Sequence, residues 1–181
     1  IKPRYDSFDS DKQVFTTLRW NENNIKTKIK SVTIQDVYSI CDDAFNGCAA
    51  LTSVSLSRVT TIGNNAFSGC NSLKHLDLLG LEIDSVTNMN SMFSGCRSLT
   101  SLDLSYFNPR SVIDMSSMFS GCSSLKKIDL SNFYAESVIT MSALFSGCSS
   151  LTSINLSGFN TASVTDMSSM FAGLTSLKML D

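Results

Sequence analysis

Six cysteines, one histidine and a spaced series of aspartates are the residues in this chain that could do chemistry. Cys48, Cys70, Cys96, Cys122 and Cys148 recur 22 or 26 residues apart, each directly after a glycine. A metal site needs clustered ligands, as in C-x-x-C, and none of these cysteines has a Cys or His beside it. Leu174 takes the sixth place in the column, so an apolar residue suits the position. Buried, reduced and inert thiols are expected there, with Cys41, outside the column, as the exposed one. His75 is the only histidine, so a Cys–His or Ser–His–Asp mechanism would have to run through it. It shares its repeat position with Ser53, Ser101, Lys127 and Ser153, the mixture of a solvated face. No Gly-rich phosphate loop or H-x-x-x-H occurs. The chain is therefore expected to be no enzyme, with no catalytic, cofactor or metal residues assigned. The adjoining Asp42 and Asp43 are weak evidence for a cation. Asn155-Leu156-Ser157 matches a glycosylation sequon by chance, in mid-strand.

One column stands apart. Asp77, Asp103 and Asp129 take equivalent places in successive repeats, with Ser55 before them and Asn155 after. On neighbouring parallel strands they would lie about 5 Å apart, and like charges facing one another destabilise a sheet. Either Lys127, His75 and the serines Ser101, Ser105 and Ser131 solvate the row, or the row attracts a cationic or hydrogen-bonding partner. These eight residues are the candidate partner-binding set. Serine at all three aspartates is expected to leave the fold at least as stable while weakening capture of a ligand. Should the site lie elsewhere, the loops 82–84, 108–110 and 134–136 differ most between units.

The elements that must position these residues follow from the periodicity. Phe45, Phe67, Phe93, Phe119, Phe145 and Phe171 are spaced by 22 and then 26 residues, each followed two places later by glycine. An L-x-x-[LIV]-x-L phrase comes next, as in Leu99-x-x-Leu102-x-Leu104, and its first instance is Ile29-x-x-Val32-x-Ile34. Longer units add an aromatic column (Phe107, Phe133, Phe159) and a Val-x-x-Met-x-x-[ML]-Phe phrase such as Val112, Met115, Met118. Alternation within the leucine phrase marks strands with one buried face, at 53–57, 75–79, 101–105, 127–131 and 153–157. The Met115-x-x-Met118-Phe119 spacing predicts a single helical turn ended by Gly121. A unit this short buries its apolar stripe only by stacking on copies of itself. The fold class expected is an α+β repeat solenoid with parallel strands and short one-turn helices, in two 22-residue and four 26-residue units. Residues 1–28 are expected to be an N-terminal cap, with Val14, Phe15, Leu18 and Trp20 covering the first coil. Residues 29–181 are expected to be the solenoid, cut off at Asp181 partway through a seventh unit.

Composition narrows the partners. The chain has 181 residues and a net charge of −2, and its 43% hydrophobic content argues against disorder. After residue 30 there are seven bases against twelve acids, which a phosphate backbone would repel, so nucleic acid is not expected. No apolar run is long enough for a membrane span.

The units Ile40-x-x-x-Ala44-Phe45-x-Gly-Cys-x-x-Leu51 and Ile62-Gly63-x-x-Ala66-Phe67-Ser-Gly-Cys-x-x-Leu73 resemble the leucine-rich repeats of BspA-type bacterial surface proteins. SVIDMSSMFSGCSSLKKIDLSNF (111–133) and SVTDMSSMF (163–171) resemble the companion repeat of mycoplasma-type lipoproteins, with Phe107, Phe133 and Phe159 where those often place Trp. The resemblance runs from about residue 29 to the end. It implies a leucine-rich-repeat solenoid on secreted or cell-anchored proteins of host-associated microbes, extracellular or at the cell surface. It implies a protein ligand, with host extracellular matrix proteins the expected class, and no catalytic residues. An adhesin-type binding module is thus the leading reading. A structural stalk is the alternative, and a glycan-binding module a weaker one, because no aromatics line the Ser/Asp/Lys face.

Overall fold

The computed structural model describes residues 8–9, 14–15, 26–34, 39–56, 59–78, 81, 83–105, 107 and 109–181. Among the described residues ten short strands carry the architecture: β1 (Phe8–Asp9), β2 (Val14–Phe15), β3 (Ser31–Ile34), β4 (Ser39–Ile40), β5 (Ser53–Leu56), β6 (Thr61–Ile62), β7 (His75–Asp77), β8 (Lys127–Asp129), β9 (Ser153–Asn155) and β10 (Met179–Leu180). They form a parallel-stranded β-solenoid of about six turns. The leucine phrases build two three-stranded parallel sheets, β3-β5-β7 and β8-β9-β10. On another side, β2, β4 and β6 pair in parallel, and β1 adds to β2 as an antiparallel hairpin. The expected cap residues Val14 and Phe15 form β2, where Val14 pairs with Ser39; Leu18 and Trp20 lie outside the described residues.

Register follows the repeat. Partners in the first coils are 22 residues apart, as in the Thr52 hydroxyl donating to the Lys30 carbonyl. In the later coils they are 26 apart, as in Thr152 donating to Lys126. Every coil pins its neighbour through the same columns. Phe45, Phe67, Phe93, Phe119 and Phe145 are fully buried, and their rings stack at 5.3–5.9 Å between centroids. Phe107, Phe133 and Phe159 make a second stack at 6.1 and 5.8 Å. Stacked rings of this kind contribute beyond the apolar area they bury.

Two expectations are corrected. The first concerns helices: no α-helix occurs among the described residues, and Met115–Phe119 forms a chain of turns. Alternate amides explain it. Those of Met115, Ser117, Phe119 and Gly121 donate to Thr140, Ser142, Leu144 and Ser146 of the next coil at 2.7–3.0 Å. Those of Met118, Ser120 and Cys122 reach back three residues within their own coil. An α-helix sends every amide four residues back and leaves none for a neighbour. The switch is made by left-handed residues, Ser117 at φ 58° and Gly121 at 72°. The same pair recurs in each turn, from Asp43 with Gly47 to Ser169 with Gly173.

The second concerns strands. Residues 101–105 form no strand, so the two leucine-phrase sheets are separate. The segment lies 26 residues from both β7 and β8, and the Lys126 amide still donates to the Thr100 carbonyl at 3.3 Å just before it. Strands β7, β8 and β9 are also shorter than expected, three residues each, and after β8 and β9 the chain turns at 131–132 and 157–158.

Candidate functional site

The turns that follow the segment 101–103 and strands β8 and β9 are made by Asp103 and Asp129 of the expected acidic row and by Asn155. The Asp103 Oδ1 accepts the Ser105 amide at 2.9 Å and its hydroxyl at 2.5 Å. The Asp129 Oδ1 accepts the Ser131 amide at 2.9 Å. Asn155 does the same with Ser157, taking its amide at 3.0 Å and its hydroxyl at 2.7 Å. These are Asx turns, in which the side chain satisfies the amide two residues on. The serine donors hold both carboxyls below the usual carboxylate range: for Asp103 the Ser105 hydroxyl first and then its amide, for Asp129 the Ser131 amide first. Ser105 and Ser131 are thus bonded partners of the row. Serine at Asp103 and Asp129 would remove these acceptors, which argues against the expected gain in stability.

Across β8, β9, β10 and the segment 101–103 the strand face opens into a shallow groove of 530 Å³. Asp103, Asp129, Asn155 and Asp181 stand along one wall, and Ser101, Lys127, Ser153 and Met179 along the other. Leu102, Ile128 and Ile154 lie between them along the chain, with Ile128 and Ile154 buried in the core and Leu102 packed against it. Four of the eight candidate residues therefore come together here: Ser101, Asp103, Lys127 and Asp129. Ser105 and Ser131 support the wall through their turns. His75 and Asp77 are exposed on β7, in the other sheet, and do not line the groove.

A second groove, of 520 Å³, lies on the β4–β6 side. Its polar wall includes Ser39, Asp42, Thr61, Asn64 and Asn88. The Thr61 hydroxyl donates to the Ser39 Oγ at 2.7 Å, and the Asn64 amide donates to the Asp42 Oδ1 at 3.0 Å. Sequence reasoning missed this groove and the ladder continuing it, Asn88, Asp114, Thr140 and Asp166. The signal was present as a second Asx/Thr-x-Asn/Ser pattern, in Asn88-x-Asn90, Asp114-x-Ser116 and Asp166-x-Ser168, closed at 2.7–2.9 Å. Asp42 is engaged by the Asn64 amide of the next coil, and Asp43 by the side-chain amide of Asn46 at 2.8 Å. Among the described residues no three His, Cys, Asp or Glu side chains are grouped to hold a metal.

The cysteine column is buried, with Cys48, Cys70, Cys96, Cys122 and Cys148 all at 0% exposure and none in a disulfide. Burial pushes the thiols up, to about 11 for Cys48, about 12 for Cys70 and about 11 for Cys148. Cys41 is half-buried at the edge of the second groove. Of the variable loops, Glu82 and Asn108 lie outside the described residues, whereas Tyr134 and Glu136 are exposed.

The profile of one family, described as Mycoplasma protein of unknown function, DUF285, matches residues 32–153 and 61–180. No curated protein sequence matches significantly. Among solved structures, a leucine-rich repeat protein of T. pallidum superposes with a TM-score of 0.62 at 23% identity, over 97% of this chain and 88% of that one. A leucine-rich repeat protein from Bacteroides ovatus superposes at 0.61 with 24% identity, over 100% of this chain and 52% of the other. This chain spans about half the length of the Bacteroides protein. The fold is that of a leucine-rich repeat. No helix among the described residues is long and apolar enough to cross a membrane.

Proposed function

We propose that this chain, which belongs to the DUF285 family, is a non-enzymatic protein-interaction module of the microbial cell surface that engages its partner through the strand-face groove. One observation carries the reading: coils 26 residues apart in sequence place Ser101, Asp103, Lys127, Asp129 and Ser153 on the walls of one open groove. Solenoids characteristically use such stacked faces as extended binding surfaces. The adhesin role, with a host extracellular matrix protein as ligand, extends the reading by family likeness. So does its place outside the cell.

The stalk reading has its own support. The carboxylates of Asp103 and Asp129 close turns, so these positions have a structural reason to recur whether or not anything binds them. Filling the groove separates the two. Ser101→Tyr and Ser153→Tyr together should abolish capture of purified extracellular matrix proteins by the immobilised chain while leaving its melting temperature unchanged. Undiminished capture by the double variant would move the site off this face. Failure of the native chain to capture any of them would favour the stalk.

A further inference from the structure

We propose that Lys26 is a strap that closes the coil of Phe45: its ammonium takes the place of the glycine amide that a preceding coil would supply, and so fastens the segment leading into β3 across the end of the stack. The strap belongs to the cap expected at residues 1–28 and does not depend on the strand-face reading. The carbonyl before the turn glycine is the same link in every coil. Those of Ser68, Ser94, Ser120, Ser146 and Ala172 accept the amides of Gly47, Gly69, Gly95, Gly121 and Gly147 at 2.7–2.8 Å. Asn46 holds that place in the coil of Phe45, and its carbonyl accepts the Lys26 Nζ at 3.0 Å. The Asn46 side chain is itself anchored, donating to the Asp43 Oδ1 at 2.8 Å. Lys26 stands 20 residues earlier, half-buried in a 3₁₀ turn, where its stem can lie on apolar surface while its head reaches the carbonyl. A solenoid end left open exposes backbone that templates further chains, and a buried carbonyl without a donor costs stability.

Two further observations place a cover at this end. Phe45 and Phe171 are the first and last rings of the stack, yet Phe45 is 0% exposed and Phe171 39%. Burial raises the Cys48 and Cys70 thiols and the Lys26 charge pulls both back, which sets the ammonium close to the cysteine column. Cys48 is the natural reporter. The later column thiols each donate to a Phe carbonyl of the coil before, and among the described residues Cys48 has no such acceptor.

Maleimide labelling of the whole chain, read peptide by peptide in a mass spectrometer, would compare Cys48 with Cys148 in the native protein, K26M and K26R. K26M keeps an apolar stem and removes the donor. It should label Cys48 about tenfold faster and leave Cys148 at its native rate, since a hydrogen bond from a charged donor is worth about that factor. K26R still donates and should recover most of the protection. Equal acceleration at Cys48 and Cys148 would overturn the strap, because Lys26 would then hold the whole fold rather than its first coil. Native rates at both thiols in K26M would overturn it too, as would K26R labelling as fast as K26M.

Discussion

The column thiols are hydrogen-bond donors as well as core residues. The Sγ–H of Cys70 donates to the Phe45 carbonyl, Cys96 to Phe67, Cys122 to Phe93 and Cys148 to Phe119, at 3.1–3.3 Å. Each of those carbonyls also accepts the amide of the cysteine in its own coil, such as Cys48 to Phe45 at 3.0 Å. A carbonyl has two lone pairs, and the small, weakly polar thiol fills the second without a full desolvation cost. Maleimide at pH 8 should therefore label Cys41 first, and the five column thiols only at the rate of global opening. Rapid labelling of Cys96 or Cys122 in the folded chain would refute this. Stability should also respond to pH at both extremes. The thiols are raised by burial, so they favour the fold below their ordinary value near 9. That contribution is lost as pH climbs from there through about 11 to 12. Asp103, Asp129 and Asp166 are depressed, Asp103 first by its serine hydroxyl and the other two first by serine amides. Their contribution is present above about pH 4 and lost as pH falls through the depressed values. Urea midpoints should decline on both sides, and Asp→Asn at the three positions should flatten the acid limb.

At the scale of the element, local side-chain bonds decide where strands stop. After β8 and β9 the Asx turn closes, yet the ladder persists one bond further, Leu130 to the Asn155 carbonyl and Leu156 to the Asp181 carbonyl. D129N should lower the melting temperature slightly at neutral pH and D129A should lower it more, because alanine leaves the Ser131 amide without its acceptor. A drop of equal size in both variants would mean that charge, not the turn, is what matters. Gly158 packs more closely on the neighbouring coil than any other described glycine: a Cβ there would sit 1.7 Å from the Ser131 carbonyl oxygen. Backbone cannot swing aside as a side chain can, so Gly158→Ala should destabilise by about 1–3 kcal/mol in urea unfolding.

Over the whole molecule, stability accumulates coil by coil, each touching only its neighbours. Phe119 is stacked on both sides, at 5.8 Å from Phe93 and 5.8 Å from Phe145. Phe171 stacks on Phe145 at 6.2 Å and is 39% exposed. Phe119→Ala should thus cost about 3–5 kcal/mol, and Phe171→Ala less than half of that. Equal costs would show that the coils do not act as a linear stack. Hydrogen exchange should follow the same gradient, fastest at Met179–Leu180, whose side chains are 60% and 51% exposed.

Parallel stacking, the register of the columns and the buried phenylalanines and thiols were legible from the sequence alone. A repeat that cannot bury its own stripe has one solution, and residues such as Phe93 and Cys96 recur where only a shared core would keep them. The groove was half legible: Asp103 and Asp129 pointed to a face, but not to what their carboxylates do. The Asp-x-Ser spacing was visible at 103–105 and 129–131, yet only the folded chain aims Oδ1 at the serine amide. Helical spacing at Met115–Phe119 misled for the same reason. Periodicity records which side chains face inward, but not whether an amide bonds within its coil or to the next. That choice depends on a neighbouring coil arriving within about 3 Å, which tertiary structure alone decides. The gathering of Ser101, Lys127 and Ser153 into one groove likewise appears only once coils 26 residues apart are stacked.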